Sequence, residues 1–210
     1  MARMEDILGV YERCYDPRWP VVCFDERPYQ LLEGRELAMR PGRAVRREDS
    51  QYQRRGTCCV LMAVEPRAGR RVLEVQPKRG KREYARFLKR LATRVYPEAE
   101  RIVLVQDNLN THQMGCLYEN FPAAEARRLA ERFELHFTPK KASWLNMAEI
   151  EFSAMSKQCL GRRIGSIGQL RRELNSWERR RNRKRVKIRW RFTTDNARDK
   201  LDRHYQAVRN

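Results

Sequence analysis

Three carboxylates stand out by where they fall in the chain. Asp25 closes the apolar run Val21-Val22-Cys23-Phe24, and Asp107 closes Ile102-Val103-Leu104-Val105-Gln106. Glu149 follows Trp144-Leu145-Asn146, one turn into a helix with an apolar face. In open α/β sheets the carboxyl ends of the strands border a crevice, and ligands bind there. Three acids converging in such a crevice repel one another unless divalent cations intervene, and hard oxygen ligands suit Mg2+ or Mn2+. Two such ions about 4 Å apart can activate an attacking oxygen and stabilise the leaving oxygen of a phosphodiester. Spacing does not bring the three residues together; their meeting is an expectation from the order of elements. Taken singly, each acid could serve as surface or as a helix cap. Glu151 rivals Glu149 as third ligand, because the two flank the apolar stripe on opposite sides and periodicity does not choose between them.

The elements that must position these acids follow from apolar patterning. Residues 1–20, with Tyr15-Asp16-Pro17-Arg18-Trp19-Pro20, read as a linker. Residues 21–24 form a buried strand, and 31–53 are polar and irregular with a turn at Pro41-Gly42. Residues 57–64 and 72–75 make an antiparallel hairpin. A helix spans 81–96 and stops near Pro97; a strand at 101–106 follows, then a short helix at 123–133 behind Pro122. The last expected strand is 134–138. A long helix at 145–160 gathers Leu145, Ala148, Phe152, Met155 and Cys159 on one face. A basic helix containing Leu170, Leu174 and Trp177 comes after Gly165, and a final helix is capped at Thr193-Thr194-Asp195. This order predicts an α/β fold with a mixed sheet flanked by helices. Residues 21–165 form the expected catalytic domain, with a basic helical extension at 166–210.

Charge narrows the partners. The 210 residues carry a formal net charge of +19, which favours phosphate polymers and a salt-sensitive affinity for them. An anionic membrane, a ribosome-type partner or a generally basic proteome are the alternatives, and the excess of arginine over lysine fits the last. None of the six cysteines forms a CxxC pair or a zinc-type cluster. No apolar run approaches the roughly 20 residues needed to span a bilayer, and no signal peptide is evident. The expectation is a cytoplasmic protein with free thiols.

Three blocks now carry a resemblance: Val21-Val22-Cys23-Phe24-Asp25-Glu26, Val105-Gln106-Asp107-Asn108-Leu109-Asn110-Thr111-His112, and Ser143-Trp144-Leu145-Asn146-Met147-Ala148-Glu149 within residues 139–152. Together they resemble the catalytic blocks of the Tc/mariner superfamily of DDE transposases, with the bacterial insertion-sequence-630 family the nearest branch. The resemblance runs from about Pro20 to the C-terminus, including Trp190-Arg191-Phe192-Thr193-Thr194-Asp195-Asn196. It implies an RNase H-like fold with a five-stranded mixed sheet. The implied DDE triad is Asp25, Asp107 and Glu149, the Leu-Asn-x-x-Glu motif favouring Glu149 over Glu151. The triad would bind two Mg2+ (or Mn2+) ions, cut transposon ends and join the freed 3′-hydroxyl to target DNA. Family members usually begin with helix-turn-helix modules that read the terminal repeats. This sequence starts at the linker, so the expectation is a truncated or split transposase whose helix-turn-helix half is encoded separately. Such enzymes generally act as dimers across two ends, although no residue here marks a homodimer interface.

Around the triad, Glu26 either binds a water near the metals or faces solvent. Asn108 and His112 sit in the loop after Asp107, where a histidine contacts phosphate, orients a metal-bound water or is simply polar surface. Asn146 is expected to cap the helix carrying Glu149. Trp144 reads as core, with stacking on a flipped base as the alternative. Lys140 and Lys141 are expected to touch phosphates near the triad. Arg179, Arg180, Arg181, Arg183, Lys184 and Arg185 are expected to form a DNA-backbone groove. Two other readings compete: a catalytically silent, non-specific DNA-binding transposase remnant, and an RNA-directed nuclease of the same fold.

Overall fold

The structure, a computed structural model, describes residues 1–36, 48–140 and 142–206. Five strands form one sheet in the order β3-β2-β1-β4-β5. They are β1 (Val21–Glu36), β2 (Glu48–Glu65), β3 (Arg70–Gln76), β4 (Ile102–Gln106) and β5 (Phe133–Phe137). The pairs β1–β2 and β2–β3 are antiparallel, while β1–β4 and β4–β5 are parallel. Helices cover both faces, as the element order predicts. All six cysteines are free, and among the described residues no helix is long and apolar enough to cross a membrane.

Strand alternation divides the core. Val22 and Phe24 point to one face, where they pack with α2 (Lys81–Arg90) and, through Leu117, with α3 (Gly115–Asn120). A short π-turn, Leu91–Val95, continues α2, and α4 (Ala123–Ala130) completes this layer. Cys23 points to the other face, together with Val103 and Val105 of β4. That face is covered by α1 (Ala2–Glu12), α5 (Ala148–Cys159), α6 (Ile167–Arg183) and, through Ala197, α7 (Thr194–Lys200). A last short helix, α8, spans Asp202–Gln206.

Several elements depart from the sequence reading. The supposed linker contains α1, whose Met4, Ile7, Leu8 and Tyr11 are buried. These positions have the i, i+3, i+4, i+7 spacing of a one-faced helix, so the pattern was present in the sequence. The Tyr11 hydroxyl donates to the Leu145 carbonyl at 2.7 Å and ties this helix to the segment before α5. The stretch 31–53, read as irregular, holds the outer arms of β1 and β2, with Leu32 opposite Arg54 and Gly34 opposite Tyr52. Register shifts interrupt that ladder between Gln30 and Leu32 and between Gly34 and Glu36. Backbone pairing needs no alternating side chains, so these arms left no period-2 signal. Pro41-Gly42 lies outside the described residues. The long helix expected at 145–160 is instead a 3₁₀ turn (Ser143–Leu145), an extended Asn146 and then α5. The break places Glu149 and Glu151 in the first turn of α5, where the positive end of the helix dipole favours carboxylates.

Candidate active site

The register of β1 on β4 does the main positioning. Val21 lies beside Val103 and Cys23 beside Val105. Strand β4 ends at Gln106, so Asp107 opens the loop directly after the strand that lies beside β1. Asp25 shares the face of Cys23, the α5 side of the sheet, whereas the Asp107 carboxylate, past the strand's end, meets His112, a ring that packs against Phe24 and Tyr84 of the other layer. Asn146 then brings α5 to β1. Its amide donates to the Phe24 carbonyl at 2.8 Å, and its Oδ1 accepts from the Ala148 N–H at 3.1 Å. The capping role expected of Asn146 is met at the first turn of α5, and the same side chain is hydrogen-bonded to β1 one residue before Asp25.

The electrostatics record the crowding. Burial, then the charge of Glu149, and more weakly Asp107 and Glu26, push Asp25 up to about 7 against the single lowering hydrogen bond from the Glu26 N–H. Glu149 and Asp25 are therefore within electrostatic reach. The Glu149 carboxylate is turned to Arg27, whose Nη2 lies 2.7 Å from Oε2, and the Arg27 guanidinium rests over the Phe152 ring. Sequence reasoning missed Arg27. Its signal was the same alternation, since residues 23, 25 and 27 share a face.

His112 is no surface residue. Its side chain is 1% exposed and bridges Glu26 (Nε2 to Oε2, 2.5 Å) and Asp107 (Nδ1 to Oδ1, 2.5 Å). The same Nδ1 lies 3.3 Å from the Asp107 carbonyl oxygen, so the ring is held to Asp107 by both its side chain and its backbone. Burial opposes charge on this ring, but Asp107 and Glu26 outweigh it and hold the imidazolium up to about 9. Gln106 fixes the loop by accepting from Tyr84 at 2.6 Å and donating to the His112 carbonyl at 3.0 Å. Glu26 does not face solvent: its side chain is 3% exposed and also meets Arg79 at 2.7 Å, a partner that sequence reasoning did not find. Asn108 is exposed and accepts from Gln113 at 3.3 Å.

The oxygen-only donor set and the raised Asp25 both suit a hard divalent cation. Among the described residues, however, no group of three or more His, Cys, Asp or Glu side chains is arranged to hold an ion. Arg27 on Glu149 and His112 on Asp107 account for that physically, because each draws a carboxylate toward a cation of the protein.

Glu151 is spoken for elsewhere. Buried to 1% exposure, it receives paired hydrogen bonds from Arg71 (3.0 and 2.7 Å) and from Arg181 (2.8 and 2.7 Å). These arginines outweigh the desolvation that would raise its pKa, and the net direction is down. Arg181 is thereby a bracing residue, unlike the exposed Arg179, Arg180, Arg183, Lys184 and Arg185. Lys140 is exposed, and Lys141 lies outside the described residues. Trp144, expected in the core, is 49% exposed and stacks on Trp190 with centroids 6.4 Å apart.

Comparison with known proteins agrees with this architecture. No curated protein matches the sequence. Solved structures of the Mos1 mariner transposase share the fold. The paired-end complex with Mn matches at TM-score 0.57 and 14% identity over 88% of this chain and 57% of that one. The pre-cleavage transpososome matches at 0.56 and 16%, over 88% and 60%. The paired-end complex with Mg matches at 0.55 and 17%, over 88% and 57%. The chain thus spans less than two thirds of each, and the shared fold is the RNase H-like mixed sheet with flanking helices. At the level of sequence family, residues 20–171 match the DDE superfamily endonucleases, a stretch that includes all three acids of the site. The chain belongs to the DDE superfamily endonucleases.

Proposed function

We propose that this chain is the catalytic part of a Tc/mariner-type transposase of the insertion-sequence-630 branch, with Asp25, Asp107 and Glu149 as its acids. The observation that supports the reading most is the crowding at Asp25, at the end of the β1–β4 pairing, where burial and the charges of Glu149 and Asp107 raise its pKa. Residues 21–165 act as the catalytic unit, and residues 166–210 as a basic extension braced to it through Glu151. The three carboxylates would hold two Mg2+ or Mn2+ ions, which supply an activated attacking oxygen and charge relief for the leaving oxygen. The protein's own part is positional. Asn146 holds α5 against β1, His112 and Glu26 orient Asp107, and Arg27 occupies Glu149 until a cation replaces it. Cleavage adds water to the scissile phosphorus and breaks its bond to the 3′-oxygen, leaving a 3′-hydroxyl. In strand transfer that hydroxyl attacks a target phosphodiester and displaces a second 3′-oxygen, so bonds made equal bonds broken. The partner is DNA, as transposon ends and target, and the working unit is a homodimer. Reading of the end sequence belongs to a helix-turn-helix module.

The test is Mn2+-dependent nicking and strand transfer on end-containing DNA. The parent protein is active, while Asp25→Ala, Asp107→Ala and Glu149→Ala each lose at least about a hundredfold, as expected when charge stabilisation in the transition state goes. Equal activity in all four proteins rejects the assignment. The Arg27–Glu149 pair favours a second reading, a silent DNA-binding remnant. That reading predicts salt-sensitive DNA binding with no metal binding and no cleavage.

A further inference from the structure

A cavity of about 1030 Å³ lies beside the start of β1, separate from the three acids. Val21, the turn Pro66–Gly69 between β2 and β3, and the segment after α6 form its walls. Met147, two residues ahead of Glu149, is also part of its lining. The walls are braced. The Ile188 N–H donates to the Pro66 carbonyl at 3.0 Å. Gly69, at φ +70°, approaches Arg185 so closely that a Cβ there would come within 2.5 Å of its carbonyl.

The chemistry of the lining has two parts. Five cations face it, Arg67, Arg70, Arg185, Lys187 and Arg189, against one acid. That acid, Glu65, is buried and bound by the hydroxyls of Tyr15 and Tyr96. Arg185, Lys187 and Arg189 are exposed and have no hydrogen bond or ion pair among the described side chains. The second part is aromatic. Trp190 in the wall tilts against Tyr11 at 5.3 Å and stacks on Trp144, which also meets Phe192 edge-on at 5.6 Å and keeps 49% of its surface exposed. Tyr15, 52% exposed, stands on the cavity's rim.

Unpaired cations for phosphates beside half-exposed aromatic rings are what an unpaired polynucleotide needs. A duplex hides its base faces and would use only the cations. We propose that this cavity and the Trp144 ledge bind an unpaired stretch of DNA strand, with phosphates on Arg185, Lys187 and Arg189 and bases stacked on Trp144 and Tyr15. The preference for DNA over RNA rests on the transposase reading; the stacking and the charge do not.

The test measures anisotropy of a labelled oligo-dT in EDTA, where no cleavage can occur, beside a duplex and an oligo-U of equal length. Oligo-dT binds the parent and the Asp25→Ala protein alike. Trp144→Ala weakens it at least about fivefold, and Trp144→Phe recovers most of the loss. Lys187→Ala with Arg189→Ala lowers the slope of log affinity against log salt by about 1.4, from two phosphate contacts on a single strand. Unchanged oligo-dT affinity in Trp144→Ala overturns the site, as does a duplex that competes as well as the single strand. Tighter binding of oligo-U overturns the choice of DNA. Trp144-dependent oligo-dT binding without metal-dependent nicking retains this site while the enzyme assignment falls; the reverse result does the opposite.

Discussion

Two glutamates one residue apart, Glu149 and Glu151, meet opposite fates in the first turn of α5. Glu151 is 1% exposed and saturated by four hydrogen bonds from two arginines. Glu149 is 35% exposed and held by one contact to Arg27, itself 41% exposed. The first cluster is over-compensated: Arg71 from β3 and Arg181 from α6 clamp the helices to the sheet, and Asn182 extends the clamp by pairing with the Arg71 backbone at 2.7 and 2.8 Å. The second is under-compensated: Asp25 feels the charges of Glu149, Asp107 and Glu26, and the neighbouring cations do not relieve it. A satisfied buried charge cluster makes structure. An unsatisfied one stores a demand for a cation, which is the basis for reading it as a functional site.

That contrast can be broken by substitution, and the largest effect belongs to the clamp. Glu151→Ala leaves Arg71 and Arg181 without their carboxylate and is expected to cost about 3–5 kcal/mol. Denaturant or thermal unfolding measures this, and a loss below about 1 kcal/mol would mean the clamp is not structural. Glu149→Ala should stay within about 1 kcal/mol of the parent, because its pair with Arg27 is screened by solvent.

Asp25→Asn comes next. Its folded pKa near 7 lies above the unfolded value, so the parent's proton-linked stability is complete below about pH 4 and is lost as pH rises through 7. The variant lacks that loss and should gain on the parent from pH 4 to pH 8, by at most roughly 4 kcal/mol. Parallel pH-stability profiles would contradict the crowding. The His112 imidazolium, raised to about 9, contributes stability present below about pH 6.5 and lost through pH 9. His112→Gln should accordingly flatten the parent's decline between those values.

Metal should show the contrast from the other side. At a hundredfold excess over its dissociation constant, Mn2+ is expected to stabilise the parent by about 2.7 kcal/mol. The gain should be larger at pH 8 than at pH 6, where the proton on Asp25 competes, and absent in Asp107→Ala. The smallest effect is that of Arg27→Ala. Freeing Glu149 of its ion pair should tighten Mn2+ binding about fivefold by calorimetry, equivalent to the upper range of an exposed ion pair. Weaker binding would show that Arg27 supports the site.

The parts legible in the sequence were those with a local signature. Apolar runs ending in Asp25 and Asp107 marked the buried strands, and Thr193 marked the start of α7, where it accepts from the Asn196 N–H. Helix α1 was also legible through Met4, Ile7, Leu8 and Tyr11, but the proline-rich stretch that follows drew the whole segment into a linker reading. The outer arms of β1 and β2 were not, because backbone pairing across 32–34 and 52–54 imposes no side-chain pattern. His112 sits in the loop after Asp107 as expected, but its burial has no sequence signature for a similar reason. Its burial comes from Phe24 and Tyr84, whose rings lie 5.3 and 4.8 Å away, and from Glu26, 86 positions earlier in the chain.

Residue type and spacing alone established which acids are available, that the surface is strongly basic, and that strands alternate with helices. Only the tertiary structure enclosed Glu151 between Arg71 and Arg181, exposed Trp144 and assigned Arg181 to the core clamp rather than to the free basic surface. The physical reason is that a charge or a ring acquires its role from the partners and the solvent around it. Those partners come from elements that chain order leaves far apart, Arg71 being 80 residues from Glu151 and Arg27 122 residues from Glu149.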